Sequence, residues 1–272
     1  MDRSSLDMLP EQPQQHSRTS PWPYPEVRVS VSIRADGDFH LEQPVEALDA
    51  TRRRFVDLPW SQPDEVHGTD VRLVARPGDH DRAIADALVT DRAAAVLGIW
   101  VGDCAPVALV AEHEDADGVR TVRVGAAHAG WRGLLDGVLA ATVAAMRAVP
   151  HGSMLAGRPM VAVLGPCIHP CCYEFGDDDL AAVIDRFGPA AEGRTRDGRR
   201  ALDVPATVRL ALAELGVALD DRSSCTGCHD DRWFSHRARR ERGRQVMAVW
   251  KDADMDADTP GEHDSESAGA WR

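Results

Sequence analysis

The chain has 272 residues and a formal net charge of −13, from 31 Lys and Arg against 44 Asp and Glu, and 43% of it is hydrophobic. This length supports one large domain or two small ones with a well-buried core, and the acidic balance argues against general nucleic-acid binding, which needs a basic face; a local arginine cluster could still receive a small anion. With no run of about 18 apolar residues and no signal-peptide-like apolar core near the N-terminus, a cytosolic protein with no membrane span is expected, so its six cysteines read as free thiols, metal ligands or nucleophiles and not as a disulfide framework.

Residues 1–25 are rich in Pro, Gln and Ser and are expected to be disordered. The alternation of Val27, Val29, Val31 and Ile33 predicts a half-exposed first strand. Val71, Leu73 and Val74 predict another. The apolar runs 94–101 and 106–111 read as buried strands, and Val122 and Val124 alternate into Ala126. Over 133–149, a helix would align Leu134, Leu135, Val138, Leu139, Thr142, Ala145, Met146 and Val149 on one face. Residues 160–164 predict a strand. Asp203 before Val204-Pro205 predicts an N-cap, and Gly216 a helix stop. A final strand covers 245–250. Residues 251–272 carry seven Asp or Glu against one Lys and one Arg; such a tail cannot offset its ordering entropy. Its Trp271 is expected to stay undocked. The body, 26–250, mixes strands and helices throughout. This predicts an α+β fold, a single layered domain with mixed β-sheets flanked by helices.

Three segments combine a metal-ligand side chain with a glycine-bearing turn or strand end. They are Val66-His67-Gly68, Gly102-Asp103-Cys104-Ala105-Pro106 and Ala127-His128-Ala129-Gly130-Trp131-Arg132-Gly133. Two imidazoles and a thiolate suit zinc, and three protein ligands leave the fourth position open, the pattern of a catalytic site. The spacing matches no compact zinc signature. A rival role for Cys104 is a thiolate nucleophile beside His67 or His128; chelation would separate the two.

The chain resembles the bacterial multicopper-polyphenol-oxidoreductase (laccase-domain) family, whose members are also described as zinc purine nucleoside phosphorylases and as peptidoglycan editing factor. The matching residues are VHGTDV at 66–71, ADALVT at 85–90, GDCAPV at 102–107, AAHAGWRGLLDGV at 126–138, GPCIHPCCYEFG at 165–176, CTG at 225–227 and FSHRARRERGRQ at 234–245. The resemblance implies zinc on His67, Cys104 and His128. It also implies phosphorolysis of adenosine, inosine, guanosine and methylthioadenosine, with accompanying adenosine deaminase activity. Two departures stand out. The usual T-x-R-x-G-G-x-S strand end reads SIRADGDFH at 32–40, retaining Arg34, and His236 stands where a tyrosine is usual.

Both reactions need proton transfer, and phosphorolysis needs positive donors for phosphate. Asp103 and Glu174 are candidate proton shuttles; the alternatives are a turn brace for Asp103 and an ion-pair partner for Glu174. Arg132, just before a helix predicted from Gly133, is a candidate phosphate ligand. Arg34, Arg237 and Arg244 are candidate substrate or phosphate ligands. The last two lie in a run with Arg239, Arg240 and Arg242 that otherwise reads as a solvated face. Trp131 and Phe175 could stack on a base, though packing is the favoured role. Cys225-x2-Cys228 has a zinc-knuckle look that Cys171 and Cys172 could complete; buried free thiols, Cys167 among them, are the default. The competing functions are a copper phenol oxidase, which would take Cu2+ and many more histidines, a peptidoglycan-precursor editing factor, and a metal-retaining binding protein. A monomer is the default expectation.

Overall fold

The computed structural model describes residues 24–114, 117–148, 154–155 and 159–252. Its strands are β1 (Val27–Val31), β2 (Trp60–Ser61), β3 (Val71–Leu73), β4 (Ala87–Thr90), β5 (Val96–Val101), β6 (Ala105–Glu114), β7 (Arg120–Ala129), β8 (Met154–Leu155), β9 (Val161–Leu164), β10 (Glu192–Arg194), β11 (Arg200–Leu202), β12 (Ala218–Asp221) and β13 (Gln245–Lys251). Its α-helices are α1 (Val45–Phe55), α2 (Trp131–Asp136), α3 (Val138–Arg147), α4 (Asp177–Phe187), α5 (Val204–Glu214) and α6 (His236–Arg239).

Two mixed sheets form the centre, one of four strands in the order β1-β13-β5-β2, the other in the order β12-β9-β6-β7-β4-β3 with β8 beside β6. The period-2 alternation of β-strands sorts their side chains into separate cores. Leu97 and Ile99 of β5, and Met247 and Val249 of β13, meet Ala108 and Val110 of β6 and Val124 and Ala126 of β7 between the sheets. The alternate residues Val107, Leu109, Ala127 and Ala129 face helices instead, against Leu139, Met146, Val208 and Leu212. On the far side of the smaller sheet, Val246 and Ala248 pack with Trp60, Phe39 and Leu48 of α1. The result is helix, sheet, sheet, helices, an α+β domain as expected. Each fully buried aliphatic side chain in such layers contributes roughly 1.5–3 kcal/mol.

The predicted strands appear, with β6 and β7 longer than expected at Ala105–Glu114 and Arg120–Ala129. Asp203 caps α5 by accepting from the Ala206 amide at 2.9 Å. The single helix expected over 133–149 is two, α2 and α3. Gly137, at φ 95°, ends one and begins the other; α2 also starts two residues earlier than expected, so Arg132 lies in its first turn. Val149 lies outside the described residues, as do 1–23 and 253–272 with Trp271. Helices α1, α4 and α6 and strands β2, β4, β8, β10, β11 and β12 have no counterpart among the predicted elements.

Candidate metal centre and its surroundings

His67, Cys104 and His128 arrive from three directions. His67 sits in the loop before β3, Cys104 one residue before β6, and His128 near the end of β7. Strands β6 and β7 are antiparallel neighbours with Ala105 opposite Ala129 and Pro106 opposite His128, so pairing alone puts the thiol beside the buried imidazole. One ligand atom of each residue lies within 4.8 Å of the others. Cys104 Sγ is 3.7 Å from His67 Nε2, and the two imidazole centroids are 4.7 Å apart.

The approach depends on Gly130. A Cβ there would stand 2.7 Å from His67 Cδ2 and 3.4 Å from Cys104 Sγ. His67 itself has φ 61°. A non-glycine residue in that region costs on the order of 1–3 kcal/mol and persists only where its surroundings hold it.

What holds it is Asp86, a buried carboxylate the sequence reading gave no role. Its oxygens accept from the backbone amides of His67 (2.8 Å), Gly68 (2.7 Å) and Val66 (3.3 Å). Asp86 Oδ1 also lies 2.9 Å from His128 Nδ1. One side chain thus fixes both imidazoles, and by occupying Nδ1 it leaves His128 Nε2 for a metal, the carboxylate–histidine arrangement that orients metal ligands. Glu65, its side chain only 3% exposed, lies 3.6 Å from the same Nδ1. Asp86 stands in the ADALVT motif one residue before β4, so its signal was a carboxylate abutting an apolar run.

Electrostatics follow from this crowding. Burial pushes the Glu65 carboxyl up to about 8, against the opposing pull of His128 and the Trp100 amide. Burial would lower His128, but Glu65, Cys104 and Asp86 raise it well above the usual imidazole range. Burial would raise the Cys104 thiol; His128 and His67 outweigh it and hold the thiol down at about 6. The Asp86 carboxylate and the Cys104 thiolate, which favour a proton on His128, would equally favour a metal cation, and the donor set fits zinc.

Beside this cluster runs an aromatic wall. Trp131 meets Phe175 edge-on at 5.3 Å, and Tyr173 meets Phe175 at 5.1 Å. Arg132 stacks on Trp131 at 4.4 Å and Arg237 on Tyr173 at 4.5 Å. The Tyr173 phenol is raised by burial and by Cys104 and Asp103, while Arg237 and Arg132 pull it down. Both guanidinium groups therefore act on the same phenol as the metal-site thiol. Phe175 is buried in the helix-side core, the packing role favoured from sequence. Tyr173 was not among the predicted site residues, although it sits next to Glu174 within the GPCIHPCCYEFG motif at 165–176.

The remaining candidates fall elsewhere. Asp103 is bound on both oxygens, by Thr226 Oγ1 (2.6 Å) and Ser235 Oγ (2.7 Å) on one and the Arg237 amide (2.6 Å) on the other. Those are the contacts of a brace that ties the Cys104 turn to residues 226–237. Glu174 is exposed and ion-paired with Arg199, while its backbone carbonyl accepts from Arg237 Nη1 at 2.8 Å. Arg34 spends its donors on the Asp230 and Trp233 carbonyls and on Glu241 at 2.7 Å. Arg244 donates to the carbonyls of Glu241, Arg242 and Gly243. Arg239 binds the Thr226, Gly227 and Trp233 carbonyls, and Arg242 pairs with Glu42. His236 begins α6 and is exposed. Of the arginine run, Arg237 is the one stacked on the aromatic wall.

The sequence profile of the family described as "Multi-copper polyphenol oxidoreductase laccase" matches residues 31–252. The chain belongs to this family. Among its relatives, the purine nucleoside phosphorylase of Xylella fastidiosa (strain Temecula1) is 39% identical over 195 residues, covering 68% of this chain and 70% of the relative. The purine nucleoside phosphorylase YlmD of Geobacillus stearothermophilus is 33% identical over 198 residues, 68% of each chain. The crystal structure of protein NMB0706 of Neisseria meningitidis superimposes with a TM-score of 0.68 at 30% identity, over 85% of this chain and 97% of that one. The matched span contains all three metal-ligand candidates and the aromatic wall. No helix among the described residues is long and apolar enough to cross a membrane.

Proposed function

We propose that this family member is a cytoplasmic, zinc-dependent purine nucleoside phosphorylase, with adenosine, inosine, guanosine and methylthioadenosine as substrates. The observation that supports it most is the meeting of His67, Cys104 and His128 beside a wall carrying two guanidinium groups, in a chain whose relatives bear the name phosphorylase. In the reaction, a phosphate oxygen bonds to C1′ of the ribose as the C1′–N9 bond breaks, and the departing purine takes up a proton.

Arg132 and Arg237 are the positive donors we assign to phosphate. Each is held by stacking on an aromatic ring, which keeps a long side chain in place at little further entropy cost. Trp131 and Tyr173 offer faces and edges for the purine. Asp103 acts as a positioning residue that keeps Arg237 and the Cys104 turn in register. His67, Cys104 and His128 would hold the zinc, and Asp86 would orient both histidines. Bound there with three protein ligands, zinc would supply a Lewis acid with one open position. The accompanying deaminase activity replaces the C6 amino group of adenosine with oxygen from water, releasing ammonia.

Among the described residues, only one of the two clusters of candidate metal ligands contains histidine, which favours zinc over multicopper oxidase chemistry. The experiment is a nucleoside screen run with and without phosphate. Adenine release from adenosine that requires phosphate is expected. Equal release without phosphate would replace phosphorolysis with hydrolysis, and phenol oxidation by copper-loaded protein with no action on nucleosides would overturn the reading.

A further inference from the structure

A second set of soft metal ligands lies outside this site. Cys171 and Cys172 end a short 3-10 turn at Pro170–Cys172, and Cys225 and Cys228 flank the turn Cys225-Thr226-Gly227-Cys228, closed by the Cys228 amide donating to the Cys225 carbonyl at 3.2 Å. All four Sγ atoms lie within 4.8 Å of one another. Cys171 is 3.7 Å from Cys225 and 3.5 Å from Cys228, while Cys172 is 3.5 Å from Cys228 and 3.8 Å from Cys171. All are free thiols. A tetrahedral zinc with Zn–S bonds of about 2.3 Å sets its sulfurs about 3.8 Å apart; these four spacings fall at or just inside that value, and the other two pairs lie within 4.8 Å.

The surroundings suit a thiolate cluster. A Cβ on Gly227 would stand 2.8 Å from Cys172 Cβ and 3.0 Å from its sulfur, so glycine is what lets the two loops close. Arg196 Nη2 lies 3.0 Å from Cys228 Sγ, and the His169 amide donates to Cys225 Sγ at 3.4 Å. Four thiolates around one divalent ion carry two net negative charges, which a guanidinium and an amide offset. Simple apolar packing would bring thiols against carbon and has no need to aim four sulfurs at one point.

We propose that Cys171, Cys172, Cys225 and Cys228 hold a structural zinc ion in a closed, all-thiolate site. Binding displaces the four thiol protons to solvent, and no oxidant is involved. The ion would join the loop that continues into Tyr173 to the segment that continues into Arg237, stapling the two pieces of the aromatic wall. This inference stands independently of which reaction the neighbouring site performs.

The test is zinc content by elemental analysis and native mass spectrometry, on protein purified without chelator, together with cobalt(II) reconstitution. The unsubstituted chain should carry two zinc ions. The double variant His67→Ala/His128→Ala should keep one, and when loaded with cobalt should show the strong sulfur-to-metal absorption and visible bands of a tetrahedral thiolate site. The double variant Cys225→Ser/Cys228→Ser should lose that ion and retain the other; if it fails to fold, the cobalt spectrum of the histidine variant decides. A histidine variant that folds with no metal and no such absorption would overturn the proposal. So would disulfides among these four cysteines in freshly purified, unreduced protein.

Discussion

The two ligand clusters are built on opposite plans. His67, Cys104 and His128 are anchored by paired strands and by buried carboxylates beneath them, and they mix nitrogen with sulfur. Cys171, Cys172, Cys225 and Cys228 belong to loops, are all sulfur, and are backed by Arg196 and a backbone amide. The first arrangement uses three ligands and a rigid scaffold, as a site that must admit a reactant requires. The second uses four, which leaves nothing open and ties the turn at Pro170–Cys172 to the turn at Cys225–Cys228. A metal in each would therefore do different work: one serves chemistry, the other keeps the walls of the chemical site together.

The largest effect that could break this contrast is at the first cluster. Cys104→Ala or His128→Ala should remove one metal per chain and lower kcat/KM for phosphorolysis by at least about 100-fold, since a Lewis acid is worth several kcal/mol and each 1.36 kcal/mol is tenfold in rate. Full activity in either variant would end the metal assignment. Asp86→Asn should come next. It keeps the shape but removes the charge that faces His128 and three amides, and a loss of about 10–100-fold in metal affinity is expected, measured by competition with a chromophoric chelator. Unchanged affinity would make Asp86 a structural brace only.

At the second cluster the effect should appear in stability. Cys228→Ser should lower Tm by about 5 °C or more, at about 2–4 °C per kcal/mol for a domain of this size, while the ligands of the first cluster stay in place. Arg237 and Arg242 then sharpen the comparison within one segment. Arg237→Ala should raise the KM for phosphate about tenfold with a smaller change in kcat, from the loss of a charged hydrogen bond. Arg242→Ala should change neither by more than about twofold, because its exposed ion pair with Glu42 is worth about 0–1 kcal/mol.

Much of the scaffold was legible because alternation and short apolar runs are local signals. Strands β5, β6, β7, β9 and β13 were visible in that way, as was the Asp203 cap. The break at Gly137 was not, since the apolar face runs through it and only the left-handed backbone reveals the turn. The three ligand positions were legible as residue types in glycine-bearing motifs, but their convergence depends on the β6–β7 pairing, which no local pattern encodes. Asp86 and Glu65 were hidden for a related reason. Their importance lies in which distant amides and imidazoles they face. Arg34 and Arg244 illustrate the converse. Arginine in a motif reads as a ligand for anions, whereas here both spend donors on backbone carbonyls of the 230–243 segment.

The most direct single measurement is an anomalous difference map at the zinc edge from crystals grown without chelator. It should show a peak about 2.0–2.3 Å from a ring nitrogen of His67, a ring nitrogen of His128 and Cys104 Sγ together. A map with no peak at that meeting point, in protein that still cleaves nucleosides with phosphate, would contradict the account.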